Sequence, residues 1–247
     1  MINKCVHNVN DTIEGIKNGH TILIGGFGEC GVPLEIIDLI IDSDLKELTI
    51  ISNNAGIADR GVAGLLQANK VKKIIGSYPR SIESYIVEDL YKKNLIDLEV
   101  IPQGTFVERI RAAGAGLGGF YTLVGVGTMM AEGKEIKIIE GEKYIFETPL
   151  KGNVALIRAY KADRWGNLVY KKTARNFNPV MATAADLVIA EVDEIVELGE
   201  LDPEGIVTPG IFVDRIYKNN KRYDDLLQSI YINNYRMKLL NKNVKEK

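Results

Sequence analysis

A glycine-rich segment near the N-terminus has the residue types that a ligand-binding loop needs. The strand-forming residues Thr21–Ile24 lead into residues 25–31, which contain four glycines, and Pro33 follows. Glycine removes the Cβ barrier to positive φ and to close approach of a ligand. Proline fits the first turn of a helix, whose free N–H groups can hold an anionic oxygen. The order predicts a strand, a turn that can hold an anion, and a helix.

The spacing of Gly26, Gly28 and Gly31 matches the G-x-G-x-x-G dinucleotide fingerprint. Such a site also needs an acidic residue about 20 residues further on, at the end of the second strand. The second predicted strand, Leu48–Ser52, is followed by Asn53 and an asparagine instead. The missing acid argues against a nicotinamide-binding oxidoreductase. A glycine turn that serves only tight helix–strand packing remains the other alternative.

The composition is that of an ordinary globular protein, with 46% apolar and 26% charged residues among 247. A formal net charge of −2 gives no basic field for nucleic acid. No apolar run approaches the ~20 residues of a membrane span. The N-terminus has no apolar stretch after a basic start, so we expect no secretory signal and a cytoplasmic protein. The two cysteines and two histidines lack metal-ligand spacing, so we expect no metal site.

Strand-like and helix-like runs alternate over the first hundred residues. This order predicts a parallel sheet with helices on both faces. The carboxyl ends of parallel strands share one edge, where ligands bind. Asn53, Gln103 (in a tight turn after Pro102) and the loop 25–31 are therefore expected to converge there. The predicted strands are 21–24, 48–52, 71–76 and 97–101, and the predicted helices are 34–41, 61–68 and 81–93.

The second half of the chain is predicted to be richer in strands. Residues 112–133 are rich in glycine and poor in charge, which indicates irregular backbone lining a site or a subunit face. The fold class is thus α/β, a mostly parallel sheet with helices on both faces plus a small β-hairpin insertion. We expect one domain over 1–217 and a basic tail, helical or frayed, over 218–247. The predicted elements are a hairpin at 135–139 and 143–147, strands at 154–159, 187–192 and 211–216, and a short helix at 182–185.

The glycine-rich segment, with Asn18 and Gly19 upstream, resembles the first signature of the family I coenzyme A transferases. The resemblance covers about residues 5–217 and is to the A (alpha) subunit of the two-subunit acetate/acetoacetate or 3-oxoacid enzymes. Residues 52–56 resemble the succinyl-dependent 3-oxoacid type, whereas later blocks resemble the acetate/butyrate–acetoacetate type. The identity of the acyl-CoA donor therefore stays open. The further matching blocks, in family order, are 52–56, 102–105, 108–116, 122–128 and 174–179.

The resemblance implies a reaction that this chain performs only with a partner. The family moves coenzyme A from an acyl-CoA to a carboxylate through a nucleophilic glutamate. In families of this type that glutamate lies in a Ser-Glu-Asn-Gly block of the B (beta) subunit, and this chain contains no such block. The resemblance therefore implies a hetero-oligomer with a B subunit. It also implies a coenzyme A thioester as substrate, with no tightly bound cofactor.

The resemblance also suggests site residues. The positions matching Asn53 and Gln103 border the reacting carbonyl, where side-chain amides can steady an oxyanion. A turn-capping amide at a strand end is the alternative for Asn53. Both amides are expected to lie at a wet sheet edge rather than in the core. Glu108 and Glu191 are expected to be salt-bridged or solvated carboxylates, and a non-catalytic scaffold of the same fold is the other functional alternative. The predicted acyl or coenzyme A contacts are Gly25, Gly26, Phe27 (or core), Gly28, Glu29, Cys30 and Gly31, with Gly114 and Gly116 as further candidates that packing explains equally well.

Overall fold

A computed structural model describes residues 2–56, 59–80 and 85–220. Strands and helices alternate along these residues as the sequence predicts. The strands are β1 Cys5–Val6, β2 Thr21–Ile24, β3 Leu48–Ser52, β4 Val71–Gly76, β5 Asp97–Val100, β6 Phe120–Thr122, β7 Ile136–Ile139, β8 Glu142–Glu147, β9 Gly152–Asp163, β10 Leu168–Val169, β11 Ala185–Val196 and β12 Arg215–Lys218. The α-helices are α1 Val9–Thr12, α2 Leu34–Asp42, α3 Val62–Gln67, α4 Ile86–Lys92, α5 Gln103–Gly114 and α6 Asn178–Ala182.

The direction in which the chain adds strands to the main sheet reverses in the middle of the sheet. Its order is β1-β12-β11-β9-β2-β3-β4-β5, all neighbours in this path are parallel, and β10 pairs antiparallel with β9. From β2 the chain adds strands towards β5, whereas from β9 it adds them in the opposite direction. The switch therefore lies between β2 and β9, where the N–H of Gly25 donates to the carbonyl of Leu156 at 2.9 Å. Open parallel sheets bind ligands in the crevice at such a point.

Helices cover both faces of this sheet, as predicted. On one face α2, α3 and α4 pack over a core that includes Ile36, Ile37 and Ile40, all fully buried. Their spacing is the helical periodicity of the sequence. On the other face α5 and α6 pack over a second core, in which the rings of Phe106 and Phe177 meet edge to face with centroids 5.6 Å apart. The parallel sheet is thus buried on both sides.

The predicted hairpin insertion is present and has one more strand than expected. Strands β7 and β8 form the hairpin, and β6 pairs with the other edge of β8, giving an antiparallel sheet in the order β6-β8-β7. An ion-pair network centred on a buried arginine joins this small sheet to the body. Arg109 of α5 contacts Glu99 at 3.0 Å and Glu147 at 3.8 Å, and its Nε donates to the carbonyl of Thr148 at 2.7 Å.

Several predicted elements of the second half were wrong. A short helix was expected at 182–185, but the helix in this region is α6, which begins earlier, at Asn178, and ends at Ala182. Pro179 in its first turn is a helix-start signal. The strand expected at 211–216 begins as the 3-10 turn Gly210–Phe212, and β12 starts only at Arg215.

Helix α5 was not predicted. It includes Gln103, which is therefore not in a tight turn, and it extends to residue 114, inside the stretch 112–133 that was expected to be irregular. Residues 81–84 of one predicted helix and 221–247 of the predicted tail lie outside the described residues. The domain division at 217 stays a prediction, with Lys218 completing β12.

Candidate active site

Three polar side chains meet at the carboxyl edge of the sheet. Asn53 follows β3, Ser77 follows β4, and Gln103 opens α5 just after β5. The Oδ1 atom of Asn53 accepts hydrogen bonds from Ser77 Oγ at 2.7 Å and from Gln103 Nε2 at 2.8 Å. Two donors on one carbonyl oxygen fix the plane of the amide. Its Nδ2 group donates to no acceptor among the described residues, so it remains a fixed donor.

The two predicted amides are brought together, but they differ in exposure. Gln103 is exposed, whereas Asn53 is only 3% exposed, so the expectation of a wet edge was wrong for Asn53. The cause is the pairing of β3 with neighbours on both sides, β2 and β4. Sequence reasoning missed Ser77. Its position in the sequence could have identified it, because Ser77 directly follows β4 in the same way that Asn53 directly follows β3.

The glycine-rich loop is a tight hairpin whose tip lies beside the end of β3. Phe27 and Cys30 exchange backbone hydrogen bonds of 3.0 and 3.2 Å. Gly28 has φ +60°, which suits the first central residue of a two-residue hairpin turn. Its carbonyl accepts from Asn54 Nδ2 at 3.3 Å. A Cβ at Gly28 would meet no atom within 4 Å, so the backbone is open to a ligand at this tip.

The ends of the loop are held by the buried side chain of Asn178 at the start of α6. Its Oδ1 accepts from the N–H of Arg158 at 2.9 Å, and its Nδ2 donates to the carbonyls of Gly31 at 3.0 Å and Ala174 at 2.8 Å. A Cβ at Gly25 would lie 1.8 Å from this Oδ1, and a Cβ at Gly31 would lie 2.4 Å from the Ala174 carbonyl. Glycine is therefore required at both positions, because the Asn178 side chain and the Ala174 carbonyl pack directly against the loop. Sequence reasoning gave Asn178 no role.

The middle of the loop divides into packed and open residues. Gly26 has φ +123°, and a Cβ there would clash with Val32 at 2.4 Å. The carbonyl of Cys30 accepts from Asn176 Nδ2 at 2.8 Å. Phe27, by contrast, is 53% exposed, so its ring is not part of the core. Phe27 and Gly28 are thus the loop residues most open to an acyl group or a pantetheine arm.

Glu29 is buried although it lies at the tip of the hairpin. It is 5% exposed, and no donor among the described residues reaches its Oε1. Burial raises the pKa of the Glu29 carboxyl to about 7, against the opposing field of Arg60. The carboxyl can therefore exist in either protonation state near neutral pH.

Glu108 and Glu191, the carboxylates that the sequence predicts to be salt-bridged or solvated, both have structural partners. Glu108 is exposed and pairs with Arg111 at 3.2 Å. Glu191 is fully buried, and its Oε2 accepts from the N–H groups of Glu35 at 3.0 Å and Ile36 at 3.2 Å, at the start of α2. Burial raises the pKa of Glu191 to about 7, although Arg158, 3.4 Å away, favours the charged form. Glu191 thus fixes the start of α2 to the sheet.

Gly114 and Gly116 lie at the far end of α5. A rise of 1.5 Å per residue puts Gly114 about 16 Å from Gln103. A Cβ at Gly114 would lie 2.1 Å from Thr183 Oγ1, which explains this glycine by packing. Gly116 has φ +68° and ends the helix, where the N–H of Leu117 donates to the carbonyl of Ala112 at 2.9 Å. The structure does not bring either glycine to the strand-end amides.

Two further features bear on function. Among residues 2–56, 59–80 and 85–220, no three His, Cys, Asp or Glu side chains are grouped as metal ligands. In the same part of the chain, no helix has the length and apolar character needed to cross a membrane.

Comparisons with known proteins agree with this architecture. The family model described as coenzyme A transferase matches residues 6–219. The A subunit of the 3-oxoadipate CoA-transferase of Pseudomonas putida is 54% identical over 216 residues, covering 87% of this chain and 94% of that protein. The A subunit of the succinyl-CoA:3-ketoacid coenzyme A transferase of Helicobacter pylori is 47% identical over 220 residues, covering 89% of this chain and 94% of its own length.

Among solved structures, an acyl-CoA transferase apoenzyme from Escherichia coli O157:H7 superposes with a TM-score of 0.79 at 22% identity. The match covers 89% of this chain and 48% of that chain. The chain thus spans about half the length of that structure and has the same fold over this half.

Proposed function

Because this chain belongs to the coenzyme A transferase family and is the A subunit of a family I enzyme, we propose that it acts with a B subunit. The complex moves coenzyme A between an acyl-CoA and a short-chain carboxylate or a 3-oxoacid such as acetoacetate. The names of the relatives support this choice, because both name a 3-oxoacid and both describe an A subunit. The match over most of the chain leaves no support for the nucleotide-binding oxidoreductase.

The proposed chemistry divides one exchange into covalent half-reactions. In the first step, the thioester carbonyl is attacked by a glutamate of the B subunit, the C–S bond breaks, and an acyl–glutamyl anhydride forms with release of the coenzyme A thiolate. The thiolate then attacks the glutamyl carbonyl, which gives a glutamyl thioester and frees the first acid. The acceptor acid reverses both steps. Each attack creates an oxyanion that needs a donor held in place.

For this chain, the proposal rests on the side-chain amide of Asn53. Its Oδ1 is held by Ser77 and Gln103, so its Nδ2 is a donor of fixed direction at the ligand-binding edge. A neutral amide suits the role because it stabilises an oxyanion without adding a charge beside the catalytic carboxylate. Gln103 uses one N–H on Asn53, so we assign it first a positioning role. A scaffold that performs no chemistry has no need of this preoriented donor.

The open side of the glycine-rich loop supplies the second part of the proposed site. Phe27 and Gly28 lie beside the end of β3, through the contact of Gly28 with Asn54. An acyl group or pantetheine arm that passes over Gly28 meets bare backbone, with Phe27 as an apolar wall. Gly25 and Gly31 support this loop from behind through Asn178.

The experiment that tests the proposal is reconstitution. The chain alone is expected to transfer no coenzyme A from acetyl-CoA to acetoacetate or from succinyl-CoA to acetoacetate. Addition of the B subunit is expected to produce exchange with double-displacement kinetics. Robust turnover by the purified chain alone contradicts the proposed division of labour. A complex that transfers coenzyme A to none of the short acids contradicts the proposed function.

A further inference from the structure

A short basic segment packs against the glycine-rich loop, and the proposed chemistry does not use it. This segment, residues 171–175, is hereafter the basic turn, and it contains Lys171, Lys172 and Arg175, all with exposed side chains. No carboxylate among the described residues forms an ion pair with any of the three. Positive charges this close together repel one another, so stability does not explain the cluster. They create a local positive potential at the surface.

The surroundings of Tyr160 show how one of these charges is held. The Nζ atoms of Lys161 and Lys171 approach its ring, at 5.4 and 4.8 Å from the ring centroid. Lys161 is also paired with Glu194 at 2.9 Å, whereas Lys171 has no such partner among the described residues. An aromatic ring attracts an ammonium group without neutralising its charge. Lys171 is therefore positioned and still able to bind an anion.

The backbone of the basic turn is held in an unusual conformation by contacts with the loop. Lys172 has φ +51°, in the left-handed region that residues other than glycine rarely adopt. The Nδ2 group of Asn176 donates at 2.8 Å to the carbonyl of Thr173 in the turn and at 2.8 Å to that of Cys30 in the loop. Asn178 bridges the turn and the loop in the same way. Strained residues fixed by their surroundings are common at ligand sites.

The glycine-rich loop contacts both the strand-end amides and the basic turn. Its tip, at Gly28, contacts Asn54, the residue after the proposed oxyanion donor Asn53. Its other end contacts the basic turn so closely that a Cβ at Gly31 would lie 2.4 Å from the Ala174 carbonyl. A long ligand that has one end at Asn53 and lies along this loop can therefore place its other end at the basic turn.

We propose that the basic turn binds the phosphates of the acyl-CoA substrate, while the thioester lies at Asn53 and the pantetheine arm along the glycine-rich loop. This inference rests on the proposed coenzyme A transfer. Coenzyme A carries its negative charge on these phosphates, at the end of the molecule away from the thioester. The guanidinium of Arg175 can donate two parallel hydrogen bonds to one phosphate, and the lysine ammonium groups bind phosphate as point charges.

The test compares two thioesters of one acid, using the complex of this chain and its B subunit with acetoacetate as the acceptor. One thioester is the acyl-CoA, either acetyl-CoA or succinyl-CoA. The other is the pantetheine thioester of the same acid, which keeps the arm and lacks the phosphates. The quantity measured is the ratio of kcat/KM for the acyl-CoA to that for the pantetheine thioester. This ratio reports what the nucleotide end of the substrate contributes.

The variant removes two of the charges, by Lys172→Gln together with Arg175→Gln. Its ratio is expected to be about 10–100-fold lower than that of the unmodified complex, with kcat/KM for the pantetheine thioester unchanged. The matched control is Lys92→Gln together with Lys93→Gln. It removes two adjacent exposed lysines at the end of α4, which leads into the amino end of β5 at the opposite edge of the sheet. Its ratio is expected to equal that of the unmodified complex.

An unchanged ratio in the variant of the basic turn overturns the inference. Equal losses with both thioesters overturn it as well, because the turn would then only support the loop. Absence of transfer from both acyl-CoA donors in the unmodified complex refutes the proposed function instead.

Inhibition provides a second measurement that does not require the truncated substrate to react. Adenosine 3′,5′-bisphosphate carries phosphates of the nucleotide end without the arm or the thioester. It is expected to compete with the acyl-CoA in the unmodified complex and in the Lys92/Lys93 control. In the Lys172/Arg175 variant its inhibition constant is expected to be about 10–100-fold higher. An equal inhibition constant in this variant means that the phosphates bind elsewhere, and it overturns the inference.

Discussion

The side-chain amide of Gln103 donates a hydrogen bond of 2.8 Å to the side-chain oxygen of Asn53. This bond ties the first residue of α5 to the residue that follows β3. Because Ser77 donates to the same oxygen, the Asn53 amide is held from two sides and its N–H bonds have a set direction. Asn53 and Gln103 therefore form one hydrogen-bonded unit and are not two independent donors.

Replacing Asn53 by alanine is expected to lower kcat and kcat/KM together by about 10²–10³, because the donor acts on charge that develops in the transition state. Stability is expected to fall by about 1–3 kcal/mol, since the Ser77 and Gln103 donors lose their acceptor. Both are measured on the reconstituted complex by steady-state kinetics and denaturant unfolding. Asn18→Ala, which removes a surface amide that accepts from Lys46, is the control. A destabilised Asn53→Ala complex with unmodified turnover contradicts the oxyanion role and favours a structural one.

The contact between Gln103 and Asn53 predicts non-additive kinetics. Gln103→Ala is expected to lower kcat by about tenfold, and adding it to Asn53→Ala is expected to cost little more, because residues in one network do not act additively. The measurement is a double-mutant cycle on kcat/KM. If the two effects multiply, Gln103 acts on the substrate directly and the positioning role is wrong.

The close approach of Asn178 to Gly25 predicts that a substitution at Asn178 partly restores the stability lost by a substitution at Gly25. Gly25→Ala is expected to destabilise the chain, because its methyl group would lie 1.8 Å from Asn178 Oδ1. Asn178→Ala is expected to cost about 1–3 kcal/mol, because it removes the partner of the Arg158 N–H and of the Gly31 carbonyl. The double variant is expected to be more stable than the sum of the single effects predicts, because the clash is gone. Strict additivity in denaturant unfolding would mean that Gly25 is required for another reason.

Glu191 predicts a specific dependence of stability on pH. Burial raises its folded-state pKa from 4.5 to about 7, so between these values the folded protein binds more protons than the unfolded chain. The corresponding stabilisation is complete below about pH 4.5 and is lost as the pH rises through about 7. Glu29 contributes with the same sign.

Glu191→Gln is expected to give a shallower decrease in the free energy of unfolding between about pH 5 and 8, because it removes the titrating group and keeps an oxygen for the N–H groups of α2. Denaturant unfolding across this range is the measurement. Glu108→Gln serves as the control because it is exposed and paired with Arg111. A Glu191→Gln slope equal to that of the unmodified chain contradicts the assignment.

The small sheet β6-β8-β7 and its flanking loops carry exposed apolar side chains, which predict a subunit contact. The sequence predicts that residues 112–133 line a site or a subunit face, and exposed apolar side chains continue from this stretch onto β7. Ile138→Glu is expected to weaken association with the B subunit, or of the chain with itself, by about tenfold or more. Ile2→Glu, at an isoleucine of similar exposure near β1, is the control. Sedimentation that shows unchanged association of Ile138→Glu removes this face from consideration. Its exposed apolar members are Leu117, Leu123, Val124, Met129, Ile136 and Ile138.

The local pattern of residues was enough to predict much of the first half of the fold. Alternating apolar runs predicted strands β2 to β5, and the spacing of the isoleucines predicted helix α2. Parallel strands place their carboxyl ends at one edge, so Asn53 and Gln103 had to lie on the same side of the sheet. The pattern failed at α5 and α6. The glycines at the end of α5 resemble loop residues, and α6 is too short to show a helical period.

The sequence by itself determined the family, the α/β class and the edge at which the polar strand-end residues lie, because these depend on local periodicity and on motifs read in order. Only the tertiary structure decided which of these residues touch. The bond between Gln103 and Asn53 spans 50 residues, and that between Asn178 and Gly31 spans 147. Such contacts follow from the order of strands in the sheet and from the switch between β2 and β9. The burial of Glu29 has the same origin, since burial is a property of what packs around a residue and not of the residue itself.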